Sequence, residues 1–192
     1  MHFGALAPWL FRGAWIAFAV IWTVAAFGAE RNARRPSGSH YWPHLVASVV
    51  GVGLMTGTIG RSWPLSARLS DPSLQGAAIG FALTVLGLAL AVWARLHLGR
   101  YWSAAVGSKA EHRLIETGPY ARIRHPIYSG IGLAVLGSAF ADGILRAWLG
   151  ALLVIGALIL KSRREEAWLT QEFGSAYADY RRRAWALVPL IY

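Results

Sequence analysis

Five stretches of the sequence contain no Asp, Glu, Lys or Arg and are long enough to form apolar helices. They span residues 13–29, 36–60, 72–94, 125–141 and 147–160. A helix needs about 20 predominantly apolar residues to cross a bilayer. The second and third stretches reach this length, and the first does so if residues 6–11 are added and Arg12 snorkels to the membrane surface. The pattern therefore predicts an all-α integral membrane protein.

The fourth and fifth stretches are shorter and are joined by the tight link 142–146. They predict either a spanning hairpin, in which Arg146 snorkels to the interface, or a buried hairpin that only dips into the membrane. Length favours the spanning hairpin, which gives five transmembrane helices. Aromatic residues recur at helical spacing in the following segment 161–183 and predict an amphipathic C-terminal helix with a break near Gly174.

The composition agrees with a membrane location. Of the 192 residues, 56% are hydrophobic and 15% are charged, whereas soluble domains carry about 25% charged residues. The absence of cysteine excludes disulfides, thiolate metal sites and a thiol nucleophile. His40 and His44 share a helical face, but the sequence places no third ligand near them, so an interfacial role is favoured and no metal is predicted.

Basic residues are distributed unevenly between the two sides of a five-helix topology. The formal charge is +10, and the 19 Lys and Arg divide fifteen to four. The fifteen are Arg31, Arg34, Arg35, Arg95, Arg100, Lys109, Arg113, Arg122, Arg124, Lys161, Arg163, Arg164, Arg181, Arg182 and Arg183, and the four are Arg12, Arg61, Arg68 and Arg146. The positive-inside rule places the fifteen in the cytoplasm and the N-terminus outside. Because these cations separate apolar runs, they indicate an anionic membrane surface as the partner and no nucleic acid.

The connection before the fourth apolar stretch carries the first candidate site. Pro126 suits the first position of a helix, and the N–H groups of a helix start beside Arg122 and Arg124 favour a carboxylate or phosphate ligand. Tyr120 and Tyr128 add aromatic faces that are able to hold a cation.

The second candidate site follows the fifth apolar stretch, where Glu165 and Glu166 stand among cations. Such a cluster is either ordinary surface pairing or a holder for an amine. The predicted hairpin brings this cluster beside the start of the fourth stretch. The two clusters are therefore predicted to form one site.

Three separated motifs carry a resemblance to a known family. They are Gly118-Pro119-Tyr120, then Arg124-His125-Pro126-x-Tyr128-x-Gly130, and then Glu165-Glu166-x-x-Leu169-x-x-x-Phe173-Gly174-x-x-Tyr177-x-x-Tyr180 with a closing Pro189. In this order they resemble the isoprenylcysteine carboxyl methyltransferases and their relatives, the phospholipid N-methyltransferases. The resemblance covers roughly the last hundred residues, and residues 1–94 match only as hydrophobic helices.

The resemblance implies a membrane enzyme that transfers a methyl group from S-adenosylmethionine, with a cofactor site formed by the cytoplasmic loop, the hairpin and the C-terminal helix. It divides the chain into transmembrane helices 1–3 in residues 1–94 and a catalytic region in residues 95–192. Carried over by position, the cofactor-binding residues are His112, Arg113, Leu114, Ile115, Tyr120, His125, Pro126, Ile127, Tyr128 and Glu165. The family's substrate-contacting arginine aligns with Lys161, with Arg163 and Arg164 beside it. Lysine keeps the charge but lacks the planar fork that binds a carboxylate.

The function that the resemblance favours is carboxyl O-methylation of an isoprenylcysteine-like amphiphile drawn from the bilayer. Three alternatives remain at this stage. They are a phospholipid or other lipid N-methyltransferase, an NADPH-dependent sterol-type reductase with a similar His-Pro-x-Tyr-x-Gly run, and a non-enzymatic membrane scaffold.

Within the site, Glu165→Gln is expected to weaken cofactor binding, and Glu166→Gln is expected to weaken it less.

Overall fold

The computed structural model describes residues 3–27, 42–71, 73–99 and 114–189, with only the backbone for residues 3–7. In these ranges the chain forms six α-helices and one short 3₁₀ turn, and β pairing is confined to two isolated bridges. The helices are α1 (Phe3–Phe27), α2 (Trp42–Thr56), α3 (Leu74–Leu98), α4 (Pro126–Asp142), α5 (Leu145–Phe173) and α6 (Ser175–Arg183), and the 3₁₀ turn is Gly118–Ala121. The predicted all-α class is confirmed.

Three of these helices are long and apolar enough to cross a membrane. They are α1 from Pro8, with 20 residues to Phe27, then α3 with 25 residues and α5 with 29 residues. The helices α2 and α4 are shorter, at 15 and 17 residues. Large apolar side chains on α1 and α2 are exposed, among them Ile16, Val24 and Val49 at 64% each. Such surface is expected of helices that contact lipid.

Glycines allow α3 and α4 to pack with their backbones almost in contact. Gly80 and Gly87 on α3 lie against Gly137 and Gly130 on α4. A Cβ atom added at Gly80 would lie 2.6 Å from the carbonyl oxygen of Gly137, so a side chain does not fit there. Small residues at such positions are the usual means by which membrane helices approach closely. This contact fixes the start of α4 against α3, which is where the candidate site begins.

The turn between α4 and α5 is anchored at the other end of the bundle. Arg146 donates hydrogen bonds to the carbonyl oxygens of Leu54 at 3.0 Å and Met55 at 3.1 Å, and it pairs with Asp142 at 3.4 Å. These carbonyls belong to the last turn of α2, where helical partners are missing. The Arg146 side chain is only 15% exposed, so it caps the end of α2. Its snorkelling to the membrane interface stays a prediction.

The helix α5 continues far beyond its apolar stretch. It runs without interruption to Phe173, whereas the uncharged apolar stretch ends at Leu160. Gly174 then adopts a positive φ of 53° and separates α5 from α6, as predicted. Because Glu165 and Glu166 lie on the same continuous helix as the apolar stretch, the packing of α5 against α2 and α4 also positions these carboxylates.

Candidate functional site

The first wall of the site is the start of α4. His125 is the residue before the helix, with φ −123° and ψ 59°, and Pro126 occupies the first turn. Proline disfavours helical geometry in the residue that precedes it, so the Arg-His-Pro sequence itself ends the loop and starts the helix here. His125 is 6% exposed and is therefore buried at this junction.

His125 lies between two carboxylates of α5. Its Nδ1 is 3.5 Å from Oε2 of Glu165, and its Nε2 is 3.3 Å from Oε1 of Glu166. Burial by itself lowers the pKa of His125, but the hydrogen bonds and negative charges of Glu165 and Glu166 outweigh it and raise that pKa above its usual value. A protonated ring donates from both nitrogens, so His125 is able to join the two carboxylates as an imidazolium.

Tyr128, one turn into α4, completes the surroundings of Glu165. Its hydroxyl donates to Oε1 of Glu165 at 2.6 Å, and its ring stacks on His125 with centroids 5.4 Å apart. The ammonium of Lys161 lies 5.3 Å from the centroid of the same ring. A carboxylate has about four lone-pair positions, and Tyr128 and His125 use one on each oxygen of Glu165. Glu165 is thus held in place and still has acceptor capacity for a ligand.

Glu166 faces a different set of partners. Arg124 donates to its Oε1 at 2.8 Å, and Arg181 of α6 lies 3.7 Å from its Oε2. Arg124 also donates to the main-chain carbonyls of Arg181 and Ala184 at the end of α6. The guanidinium of Arg124 is therefore committed to joining α5 and α6, whereas the sequence assigns it to an incoming anion.

The C-terminal segment after α6 fixes the loop that carries Arg124 and His125. The amide of Arg124 donates to the carbonyl of Trp185 at 2.8 Å, and the amide of His125 donates to Ala186 at 3.0 Å. Tyr180 on α6 donates from its hydroxyl to the carbonyl of Tyr120 at 2.6 Å. The sequence reasoning missed this support, because main-chain pairing leaves no mark on residue type. Its only traces are the tyrosines at helical spacing and the closing proline.

Several predicted cofactor residues lie in the packed interior beside this cluster. Tyr120, Pro126 and Ile127 are buried, and the hydroxyl of Tyr120 lies 3.4 Å from the carbonyl of Ala94 on α3. Burial raises the pKa of the Tyr120 hydroxyl, which therefore stays protonated.

Two further predicted cofactor residues belong to different apolar clusters. Ile115 packs with Tyr120 and Ile127, whereas Leu114 packs with Tyr177 and Tyr180. The predicted residues His112 and Arg113 lie outside the described residues.

The three cations predicted to contact the substrate do not share one face of α5. Successive residues of an α-helix are about 100° apart around its axis. Arg164 and Glu165 therefore lie within about 60° of Lys161, whereas Arg163 lies about 160° away. Lys161 is partly buried, and Arg163 and Arg164 are exposed. The structure thus brings Lys161 and Arg164, but not Arg163, to the side of α5 that carries Glu165.

A family model described as phospholipid methyltransferase matches residues 76–176, which contain all but the first two residues of α3, the loop that follows, and all of α4 and α5. This match covers more than half of the chain, and the chain belongs to that family. The resemblance inferred from the three motifs is confirmed.

Proteins similar to this chain include two curated sequences and one solved structure. The protein-S-isoprenylcysteine O-methyltransferase of Schizosaccharomyces pombe is 33% identical over 120 residues, which are 61% of this chain and 50% of that protein. The nickel-cobalt-cadmium resistance protein NccN of Alcaligenes xylosoxydans xylosoxydans is 32% identical over 151 residues, which are 76% of this chain and 62% of that protein. The chain thus spans about half to three fifths of the length of these relatives.

Among the similar solved structures is that of the eukaryotic intramembrane Ras methyltransferase ICMT (isoprenylcysteine carboxyl methyltransferase). It matches with a TM-score of 0.56 and 22% identity over 81% of this chain and 55% of that one. At this identity the likeness concerns the fold. Together with the three apolar helices of spanning length, it identifies the chain as an integral membrane protein.

Proposed function

We propose that the chain is an integral membrane methyltransferase that uses S-adenosylmethionine to methylate the carboxylate of an isoprenylcysteine-like amphiphile. The observation that carries this proposal is Glu165. Its carboxylate is 21% exposed and is held by Tyr128 and His125 where the apolar part of the α4–α5 hairpin ends. Family membership and the isoprenylcysteine methyltransferase relative support the reaction type.

The side chains around Glu165 suit the polar groups of S-adenosylmethionine. Glu165 retains acceptor capacity for the cofactor's ammonium group. An aromatic face for the sulfonium stays a prediction, because His125 and Lys161 already contact the Tyr128 ring. His125 supports Glu165 through a ring nitrogen, so its part in cofactor binding is to orient that carboxylate. When bound, S-adenosylmethionine supplies an electrophilic methyl group.

The acceptor is proposed to lie on the Lys161 side of Glu165. The ammonium of Lys161 is partly buried over the Tyr128 ring, at the end of the apolar stretch, where a lipid-anchored carboxylate would arrive from the bilayer. A carboxylate is already ionised near neutral pH and needs no general base. The residues of the site therefore act by holding the two reactants in line, which is a large part of the rate gain in a displacement reaction.

A lipid N-methyltransferase is the second candidate. The matching family model is described by phospholipid methylation, and Lys161 replaces the arginine that the isoprenylcysteine enzymes are expected to have. An amine acceptor must lose a proton before it attacks, so this candidate requires a base near the acceptor.

The proposal also assigns the membrane-spanning and catalytic functions to two parts of the chain. Residues 1–94 would form the first three membrane helices, and residues 95–192 the catalytic region, including His112 and Arg113 in the cofactor site. With α4 and α5 as a spanning hairpin, five helices cross the bilayer. The end of the bundle that carries Glu165 then lies in the cytoplasm.

Cofactor binding tests the methyltransferase class directly. Isothermal titration of the purified chain in detergent with S-adenosylmethionine should give saturable binding, and NADPH should give none. S-adenosylhomocysteine, which lacks the methyl group and the positive charge, serves as a matched ligand. Binding of NADPH alone would replace the proposal with the sterol-type reductase.

Reporter fusions test the orientation. Because of the fifteen-to-four distribution of Lys and Arg, fusions after Arg35, Arg68, Lys109, Asp142 and Tyr192 should alternate in, out, in, out, in. A phosphatase reporter that is active after Lys109 would contradict the cytoplasmic location of the site. Inactivity of the same reporter after Asp142 would show that the hairpin does not span.

A further inference from the structure

The helix α2 packs antiparallel along α5, and its register places His44 beside the site. A Cβ atom added at Gly150 would lie 3.0 Å from the amide nitrogen of Met55, and one added at Gly51 would lie 2.8 Å from Cγ2 of Val154. The two helices therefore run in opposite directions, and residues nearer the N-terminus of α2 lie beside residues nearer the C-terminus of α5. Seven residues separate His44 from Gly51, and seven separate Val154 from Lys161.

The side chain of His44 belongs to the face of α2 that packs against α5. It is partly buried, and it lies two turns from the buried Gly51 on the same face. Its neighbours Leu45, Val46 and Val49 are exposed by 50%, 55% and 64%. These apolar side chains point away from the bundle, toward lipid, and His44 points inward.

Among the described residues, charged side chains of the proposed cofactor and acceptor sites act electrostatically on the His44 ring. They include Lys161, Arg164 and Glu165. Ser48, one turn farther along the same face, uses its hydroxyl to donate to the carbonyl of His44 at 2.8 Å. The polar group that α2 presents to the end of the apolar stretch of α5 is therefore the imidazole of His44.

We propose that His44 is an acceptor-contact residue, whose imidazole N–H donates a hydrogen bond to the carboxylate head group of the amphiphile. This inference rests on the proposed methyl transfer and adds to it a residue from outside the part of the chain that the family model matches, residues 76–176. Lys161 and Arg164 supply charge from α5, and His44 supplies a directional donor from the facing helix. The acceptor head group thus lies between α2 and α5.

The test uses two substitutions at one position in the full-length chain. His44→Phe keeps an aromatic ring and removes the donor, and His44→Gln restores an N–H donor. With N-acetyl-S-farnesylcysteine as the acceptor, His44→Phe should raise KM about tenfold, which corresponds to one hydrogen bond to a charged group. The kcat and the Kd for S-adenosylmethionine should stay within about twofold of the parent, and His44→Gln should recover most of the loss. Leu45→Ala, on the lipid-facing side, is the matched control and should leave KM unchanged.

Three other outcomes would contradict the role proposed for His44, and each has a different meaning. A parental KM in His44→Phe, with the parent active, would show that His44 does not contact the acceptor while the proposed function stands. An equal loss of cofactor affinity or of thermal stability in both variants would show a structural role. A parent chain that binds cofactor but methylates no acceptor would refute the proposed function together with this inference.

Discussion

Replacing Glu165 with glutamine is expected to weaken the binding of S-adenosylmethionine by tenfold or more. The substitution keeps the size of the side chain and removes the charge that would face the cofactor's ammonium group. A hydrogen bond to a charged group contributes about 1.5–3 kcal/mol, and 1.4 kcal/mol corresponds to a tenfold change in Kd. Titration calorimetry on the folded variant measures this change.

His125→Ala is expected to weaken binding by a similar factor, because it removes the partner 3.5 Å from Oε2 of Glu165 and the ring that stacks on Tyr128. Glu172→Gln is the matched control, since Glu172 lies on the same helix two turns beyond Glu165 and is exposed. If Glu165→Gln and His125→Ala both bind the cofactor like the parent, Glu165 is not the cofactor's anchor and the site lies elsewhere.

Replacing Glu166 with glutamine is expected to destabilise the protein by about 2–4 kcal/mol. The carboxylate is 13% exposed and is in contact with Arg124, His125 and Arg181. Its removal leaves the guanidinium of Arg124, itself 10% exposed, without its charged partner. Removing one member of a largely buried pair costs far more than breaking a surface pair.

Thermal or denaturant unfolding of the single and double variants measures this loss. Arg124→Gln combined with Glu166→Gln should cost less than the sum of the two single changes, because both break the same interaction. Asp179→Asn is the matched control, since it breaks the pair of Asp179 with Arg182, whose side chains are 60% and 73% exposed. That change should stay below about 1 kcal/mol. A Glu166→Gln variant as stable as this control would show that the Arg124–Glu166 pair does not join α5 to α6.

The expectation for Glu166 illustrates where sequence reasoning stops. Adjacent residues on a helix point about 100° apart, so Glu165 and Glu166 share His125 but otherwise meet different partners. The motif identifies the pair, and the α4–α5 hairpin predicts that the pair lies beside the start of α4, where Glu165 contacts Tyr128. What Glu166 meets depends on the return of α6 and residues 184–187 to the loop at Arg124. No periodicity within α5 predicts that return. The sequence therefore gives Glu166 only a smaller effect on cofactor binding and no role in joining α5 to α6.

The helices themselves were largely predictable, because apolar runs and punctuating residues act locally. The Arg-His-Pro sequence marks the start of α4, and Gly174 marks the break before α6. The partners of Arg146 were not predictable, for a non-local reason. Its guanidinium donates to carbonyl groups in the last turn of α2, and the sequence does not show that this turn lies beside the link between α4 and α5. Likewise, the inward position of His44 depends on the α2–α5 register, which the sequence does not give.

Methyl transfer to two defined acceptors is the most direct test of the central claim. The purified chain, with S-adenosylmethionine, is assayed for S-adenosylhomocysteine formation with N-acetyl-S-farnesylcysteine and, separately, with phosphatidylethanolamine. A carboxylate with a pKa of about 3.3–3.7 stays ionised from about pH 6 to 9, so the farnesylcysteine acceptor itself adds no pH dependence to single-turnover transfer. A decrease toward high pH then reports deprotonation of His125, whose pKa is raised by Glu165 and Glu166. Turnover of phosphatidylethanolamine alone, rising steeply with pH as its amine loses a proton, would contradict the carboxylate assignment and establish the lipid N-methyltransferase instead.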